Sequence, residues 1–164
     1  SAENNEMQVI PSAIDSLKFL NEQCEIYRSL ALEENLKIRI DPNAAQVTLT
    51  SDPIILERVL GNMIKNALEA SQKDKTVTVG CNQQTDQVEF WVQNSTFMQR
   101  HVQLQMFKRS FSTKSPNRGL GTYSMKLLGE KFLHGKVDFI SSLEEGTIFR
   151  LRLPLVFNAD KIAA

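Results

Sequence analysis

The sequence has few of the features that would point directly to a class of protein. Its 19 basic and 19 acidic residues leave no net charge, which argues against binding nucleic acid or anionic membranes through bulk positive charge. No apolar run approaches the roughly 18 residues that a membrane helix needs, and no signal-peptide pattern opens the chain. Two cysteines, Cys24 and Cys81, are too few for a disulfide scaffold or a four-thiolate zinc site. We expect two reduced, buried thiols in a cytoplasmic protein.

The rest of the composition is that of an ordinary globular protein. The chain has 164 residues, of which 41% are hydrophobic and 23% charged. This length and composition favour one domain with a sizeable core. There is no internal repeat and no low-complexity stretch.

Hydrophobic periodicity predicts an α/β fold. Apolar residues at helical spacing predict helices over 13–34, 51–71 and 120–133, the second opening with the capping residues Ser51 and Asp52 before Pro53. Strands are predicted over 36–40, 46–50, 76–82, 88–92, 136–141 and 147–153. A long loop covers 94–118, with a helical turn near 102–107. This order favours a two-layer sandwich in which helices cover one face of a mixed sheet.

The second predicted helix has one apolar and one polar face. The apolar arc consists of Leu56, Leu60, Met63, Ile64, Ala67 and Leu68, and the polar arc of Arg58, Asn62, Lys65, Asn66 and Glu69. A solvated face explains the charged residues. Asparagine is a mediocre helix former, however, and two asparagines lie one turn apart on this face. Their amide oxygens could reach a hydrated Mg²⁺, which prefers few protein ligands together with water and substrate phosphates.

A glycine-rich segment precedes the last predicted helix. Only 7 glycines occur in the chain, and two of them lie in Arg118-Gly119-Leu120-Gly121-Thr122. Glycines at a helix start let the backbone approach a ligand, and the free N–H groups there favour an anion. The segment lacks the ending of a P-loop and the spacing of a dinucleotide fingerprint. A plain turn with a helix cap is the other interpretation.

Two further segments accompany these. Phe107-Lys108-Arg109-Ser110-Phe111-Ser112-Thr113-Lys114 interleaves aromatic and cationic residues. The aromatic rings could anchor the loop to the core while Lys114 reaches a phosphate. Glu145-Gly146-Thr147 precedes a strand and is also compatible with a simple hairpin turn.

Taken in order, these segments resemble the ATP-binding catalytic domain of sensor histidine kinases, in the Bergerat-fold ATPase superfamily. The matching stretches are 56–70 (the asparagine box), 107–114 (the phenylalanine box), 119–122 (the second glycine box) and 146–149, with Leu153-Pro154 at the end. The resemblance spans about residues 17–155. Each box is weak by itself, and their order and spacing carry the resemblance.

The resemblance implies ATP and Mg²⁺ as cofactors. It makes Asn66 the magnesium ligand, places Asn62 beside the phosphates or a coordinated water, and lines the pocket with Lys65 and Glu69. The other implied ATP contacts are Lys114 and Arg118 at the phosphates, the backbone of Gly119, Leu120, Gly121 and Thr122, and Thr147 near the adenine. Asn62, Asn66 and Lys114 are the implied catalytic residues.

The sequence departs from the family pattern at the first glycine box. The family reads Asp-x-Gly-x-Gly after a strand, whereas this chain reads Asn94-Ser95-Thr96-Phe97-Met98. The family aspartate accepts a hydrogen bond from the adenine amino group, and an asparagine oxygen can still accept it. Without charge assistance we expect nucleotide binding to be weaker by about 1–2 kcal/mol, or roughly tenfold.

Position 62 distinguishes a kinase from a hydrolase. In the hydrolysing relatives of the family, a glutamate four residues before the metal asparagine activates water. Here that position is Asn62, whose amide has no useful basicity. The other implied site residues suit transfer of the γ-phosphoryl group to an external nucleophile, in which catalysis depends on positioning, Mg²⁺ and cationic side chains.

The phosphoacceptor expected by resemblance is not in this chain. His101 and His134 lack the sequence context of the family's phosphoacceptor, and we expect both to be ordinary polar residues. We therefore expect residues 1–12 to be a cloning scar and linker from a missing dimerisation domain, 13–157 the ATP-binding domain, and 158–164 a flexible tail. The implied partners are that dimerisation domain, in a homodimer, and a response-regulator receiver domain, with no nucleic acid. Membrane anchoring of the full-length protein stays open.

Two alternatives remain at this point. One is a regulatory pseudo-kinase module that keeps the fold and has lost nucleotide binding through segment 94–98. The other is a serine kinase of the anti-sigma type, which shares the fold and lacks an attached histidine domain.

Overall fold

The computed structural model describes residues 7–108 and 116–160, without the side chains of residues 116–120. The strands and helices follow in the order β1 (Ser12–Asp15), α1 (Ser16–Glu33), β2 (Lys37–Ile40), β3 (Thr48–Ser51), α2 (Pro53–Ala70), β4 (Thr76–Gln84), β5 (Gln87–Asn94), α3 (Arg100–Gln103), α4 (Pro116–Lys126), a π-helical segment (Leu127–Phe132), β6 (Lys136–Ser142) and β7 (Gly146–Pro154).

Five strands form one mixed sheet in the order β2-β4-β5-β7-β6. Strands β2 and β4 are parallel, so the chain must cross over between them, and α2 lies in this crossover. The other neighbours are antiparallel, with β4–β5 and β6–β7 as hairpins and β5 beside β7. The predicted mixed sheet is confirmed.

The core lies between this sheet and the helices on one of its faces. Alternate strand residues are buried, namely Val77, Val79 and Cys81 on β4, Val88, Phe90 and Val92 on β5, and Phe149, Leu151 and Leu153 on β7. Both cysteines are buried free thiols, as expected, and burial raises the pKa of each to about 11. In the described ranges, no helix is both long enough and apolar enough to cross a membrane.

Helix α2 begins where its capping residues predict. The Asp52 carboxylate accepts hydrogen bonds from the N–H groups of Ile54 and Ile55 at 2.9 and 3.0 Å, and Pro53 occupies the first turn. Its second oxygen accepts the N–H of Ile10 at 2.9 Å. One buried carboxylate therefore caps α2 and holds the segment that leads into β1.

The first predicted helix is shorter than expected. Residues 12–15 form β1, which pairs antiparallel with β3 in a separate two-stranded sheet, so α1 begins at Ser16 with Asp15 as its N-cap. The predicted strands 36–40 and 46–50 exist with small shifts and belong to different sheets. The strand β1 was missed because its pairing partner is more than thirty residues away along the chain.

The last helix begins earlier than predicted, at Pro116 rather than near residue 120. Proline fits the first helical turn because it has no N–H to leave unpaired. After Lys126 the helix continues as a π-helical segment to Phe132. The glycine-rich segment therefore lies inside α4 and not at its first residue.

Candidate functional site

The polar arc of α2 lies as its periodicity predicts, opposite the core. Leu60, Met63 and Ile64 are fully buried, whereas Lys65 is exposed and Asn62 and Asn66 are half-buried. The two asparagines thus keep their amides away from the apolar interior. They are available to a ligand on the open side of the helix.

A cleft of about 500 Å³ brings this arc and α4 together. Asn62 and Lys65 line it from α2, and Gly121 and Ser124 from α4. A Cβ atom placed on Gly121 would meet nothing within 4 Å, so the missing side chain leaves room for a ligand. The two surfaces predicted to bind phosphate therefore share one cleft.

The position of the glycines within α4 changes how they would meet a phosphate. Backbone N–H groups lack helical partners only in the first turn, and α4 begins at Pro116. The expectation that the segment 119–122 forms the helix start is wrong for the helix as described. Gly121 lies within the helix, where it forms part of the cleft wall. Thr122 is buried, with 4% of its surface exposed.

A second group of predicted residues lies at the far end of α2. Asn94 and Thr147 face each other across β5 and β7 and are 4% and 3% exposed. The Asn94 amide nitrogen donates to the carbonyl oxygen of Ala67 at 3.3 Å, and its oxygen accepts the N–H of Thr96 at 3.0 Å. The two residues expected near adenine are thus neighbours, tied to the helix that carries Asn62 and Asn66.

Thr147 belongs to a relay of hydrogen bonds that holds the segment after β5. The N–H of Met98 donates to Ser141 Oγ at 2.8 Å, and Thr147 donates to the carbonyl of Thr96 at 2.7 Å. Because the single Thr147 proton is used there, Ser141 donates across the remaining 2.9 Å to Thr147 Oγ1. Gly146, at φ +73°, is required beside it because a Cβ would strike Asn94 and Ser95.

The phenylalanine box is described only in part. Phe107 contacts Phe139 and Phe149, with ring centroids 5.7 and 6.2 Å apart, and Lys126 Nζ lies 4.9 Å from the centre of its ring. This ring anchors its end of the loop to the core, as predicted. Lys114 lies outside the described residues, as do the side chains of Arg118, Gly119 and Leu120.

The cleft contains residues that the sequence did not single out. Tyr27, Ile54, Glu57 and Ser124 line it, together with Arg58 of the polar arc. Tyr27 belongs to α1, whose periodicity gave no sign of contact with α2, so the packing of helices was needed to find it. Glu69, predicted to line the site, is exposed near the end of α2.

Neither histidine lies in this cleft. His101 is exposed in α3. His134 has a left-handed backbone with φ 62° after the π-helical segment, and its ring stacks on Phe157 with centroids 4.7 Å apart. Within the described ranges, no three or more His, Cys, Asp or Glu side chains group in a way that could hold a metal ion.

Comparison with known sequences agrees with this geometry. Residues 51–156 match the family described as histidine kinase-, DNA gyrase B-, and HSP90-like ATPase. A probable C4-dicarboxylate sensor kinase of Halalkalibacterium halodurans is 34% identical over 102 residues, which cover 58% of this chain and 19% of that protein. The sensor histidine kinase ZraS of Salmonella typhi is 30% identical over 77% of this chain and 27% of its own length. The chain thus spans about a fifth to a quarter of these relatives.

Solved structures show the same fold at low sequence identity. Full-length ShkA, in complex with AMPPNP, superposes with a TM-score of 0.82 at 19% identity, over 93% of this chain and 33% of that one. Histidine kinase ThkA, in complex with the response regulator protein TrrA, gives a TM-score of 0.77 at 18% identity, over 90% of this chain and 42% of that one.

Proposed function

Because the chain belongs to the family of histidine kinase-, DNA gyrase B-, and HSP90-like ATPases and its relatives are two-component sensor kinases, we propose that it binds Mg·ATP and transfers the γ-phosphoryl group to a histidine. It is the ATPase catalytic domain of such a sensor. The acceptor histidine would lie on a dimerisation domain, and the phosphoryl group would pass on to an aspartate of a response regulator.

The observation that carries this proposal is the cleft shared by α2 and α4. Its walls combine the amide of Asn62, the exposed cation Lys65 and the open space at Gly121, and Asn66 lies one helical turn further along the same polar arc of α2. Amide oxygens are hard ligands that suit Mg²⁺, and the open glycine leaves room for phosphates. The residues present therefore fit the cofactors that the family uses.

Each predicted site residue has a place in the proposed complex. Asn66 would hold Mg²⁺, which neutralises charge on the triphosphate, and Asn62 would support the phosphates or a coordinated water. Lys65 and Glu69 would line the pocket, and Asn94 with Thr147 would receive the adenine. The phosphates would contact Lys114, Arg118 and the backbone of Gly119, Leu120, Gly121 and Thr122.

The chemistry proposed for this cleft is transfer and not hydrolysis. Asn62 occupies the position from which a carboxylate would activate water, and its amide cannot remove a proton. A neutral imidazole nitrogen from outside this chain would attack phosphorus while the bond to the bridging oxygen breaks and ADP leaves. The residues of the cleft then act by orienting the triphosphate and balancing its charge.

Two findings among the similar structures support the proposed ligands and partners. ShkA was solved with AMPPNP, and ThkA was solved with a response regulator. We propose the same kinds of contact for this chain, with a homodimeric dimerisation domain supplying the histidine. Because the proposed substrate is ATP, we also propose that this domain lies in the cytoplasm.

Titration of the isolated chain with Mg·AMPPNP tests the proposal. We expect a rise in unfolding temperature and amide NMR shifts at Asn62, Lys65, Gly121 and Thr147, because these residues line the proposed site. Shifts near the exposed Glu144, in the turn between β6 and β7, are not expected. No response at millimolar Mg·AMPPNP would exclude nucleotide binding by this chain.

One observation favours a second candidate, a regulatory module without bound nucleotide. Both polar atoms of the Asn94 amide already form hydrogen bonds: the nitrogen donates to the carbonyl of Ala67, and the oxygen accepts the N–H of Thr96. Thr96 also donates from its hydroxyl to the carbonyl of Ala70 at 2.9 Å. These hydrogen bonds lie where adenine would bind. The adenine amino group would therefore have to donate to Asn94 Oδ1, which already accepts the N–H of Thr96.

A further inference from the structure

Tyr27 of α1 lines the cleft and contacts Gly61 of α2. Its ring rests against Gly61 on α2, with Cζ 3.4 Å from the position of a Cβ there and the phenol oxygen nearer still. Glycine inside a helix is destabilising relative to alanine. Gly61 is nevertheless placed where only glycine admits the phenol, directly before Asn62.

The Tyr27 hydroxyl has no hydrogen-bond partner among the residues that the structure describes, although the side chain is half-buried. Tyr27 lines the open cleft, and its hydroxyl is not among the buried polar atoms that lack a partner. A phenylalanine would fill the same space against Gly61 but would offer no donor to a ligand in the cleft. Burial, together with the charge of Glu57, raises the pKa of Tyr27. The phenol therefore keeps its proton at neutral pH and remains a donor.

The order of residues along α2 indicates which part of a ligand this donor would meet. Ala67 contacts Asn94 at the proposed adenine end, Asn66 follows as the proposed metal ligand, and Asn62 and Gly61 lie further toward the helix start. Gly61 is about 9 Å from Ala67 along the helix axis. A nucleotide with its adenine at Asn94 would direct its terminal phosphate toward Tyr27.

Resting on the proposed function, we propose that the Tyr27 hydroxyl donates a hydrogen bond to an oxygen of the terminal phosphate of ATP. This contact would hold the phosphate at the open end of the cleft, where an acceptor from another domain would reach it. The lining there also includes Ile54, the acid Glu57 and the cation Arg58.

The variant Tyr27→Phe tests this role when its affinities for Mg·ATP and Mg·ADP are both measured by calorimetry. We expect affinity for Mg·ATP to fall about tenfold, because a hydrogen bond to a charged group is lost, and affinity for Mg·ADP to stay unchanged. Ser29→Ala is the matched control, since it removes an exposed hydroxyl from the same helix. It should change neither affinity.

The outcomes separate this role from the proposed function. If the wild-type chain binds Mg·ATP and Tyr27→Phe leaves the ratio of the two affinities unchanged, the Tyr27 role is wrong and the proposed function stands. Equal losses for both nucleotides would also overturn the assignment to the terminal phosphate. If the wild-type chain binds neither nucleotide, the proposed function is wrong and the Tyr27 role with it. A melting curve for each variant shows that the fold is retained.

Discussion

At the scale of single residues, the two asparagines of α2 bear more directly on the proposed chemistry than the charged residues around them. Asn62 and Asn66 are both half-buried on the open side of a helix whose other side is fully buried. In the proposed complex their amides would offer oxygens to Mg²⁺ or its water, without the basicity that water activation needs. At position 62, an amide in place of a carboxylate is the difference that favours phosphoryl transfer over hydrolysis in our proposal.

Asn66→Ala tests this assignment. We expect affinity for Mg·ATP to fall about 10- to 100-fold, because a ligand to a charged group is lost, and unfolding to remain cooperative at an equal or higher temperature. Alanine is the better helix former, and Asn66 does not face the core. Calorimetric titration and thermal melting measure the two quantities.

The matched control is Asn21→Ala, which removes an exposed asparagine from α1, where its amide donates to the carbonyl of Leu17 at 3.0 Å. This variant should bind Mg·ATP as the wild type does. If Asn66→Ala unfolds, Asn66 has a structural role instead. If the variant stays folded and keeps its affinity for Mg·ATP, the assignment of Asn66 as the magnesium ligand is wrong.

At the scale of secondary-structure elements, the segment after β5 departs most from the family pattern. Two glycines are replaced by Thr96 and Met98, and both residues are held: Thr96 by the carbonyl of Ala70 and Met98 by Ser141. A segment that glycine would leave free is here fastened to α2 and β6. An adenine bound as proposed would therefore meet a segment held by hydrogen bonds and an uncharged acceptor, Asn94.

Restoring the family residues should strengthen nucleotide binding. For the variant Asn94→Asp/Thr96→Gly/Met98→Gly, we expect affinity for Mg·ATP to rise about tenfold, because a carboxylate gives a charge-assisted hydrogen bond. Stability should fall by about 1–2 kcal/mol, since the Thr96 hydroxyl bond is lost and glycine adds chain entropy. Titration and denaturant unfolding measure both.

The control keeps Asn94 and changes only Thr96 and Met98 to glycine, which should cost stability without raising affinity. An unchanged affinity in the triple variant would show that the segment does not limit binding. If the wild-type chain binds no nucleotide and the triple variant does, the regulatory module is the better description of the natural protein.

At the scale of the whole molecule, ion pairs join three strands on the side of the sheet away from the helices. Arg150 donates to Asp138 at 2.7 Å, and Arg152 lies 2.6 Å from Asp138 and 3.4 Å from Glu89. Partial burial raises the pKa of Asp138, but the hydrogen bonds and charges of both arginines outweigh it and hold the pKa below its usual value. The network ties β5, β7 and β6 together.

This network predicts how stability depends on pH. Because the folded pKa of Asp138 is lowered, its contribution is complete above the unfolded value near pH 4 and is lost as pH falls through the folded pKa. At pH 7 we expect Asp138→Asn to reduce the free energy of unfolding by about 1 kcal/mol or less, since the group is partly exposed. The difference from wild type should vanish at low pH.

Denaturant unfolding at several pH values measures this difference. Glu144→Gln, an exposed acid in the β6–β7 turn, is the control and should change little at any pH. A constant difference between Asp138→Asn and wild type from pH 7 down to strongly acidic conditions would mean that the variant acts through packing and not through charge.

The elements and the polar arc were accessible from the sequence because they depend on local order. Periodicity predicted α2 and its two faces, capping residues placed its start at Pro53, and the motifs in their order indicated the ATP-binding fold. Helix periodicity and caps involve residues within a few positions of one another, so a single sequence contains them.

Tertiary structure alone decided what depends on contacts between distant segments. The strand β1 exists because β3 pairs with it, and α4 begins at Pro116, which places Gly121 on the cleft wall. Tyr27 meets Gly61 only because α1 packs on α2, and the hold on Thr96 needs α2 and β7 together. Such contacts join residues that are far apart in sequence, and no local pattern determines which distant partners will meet.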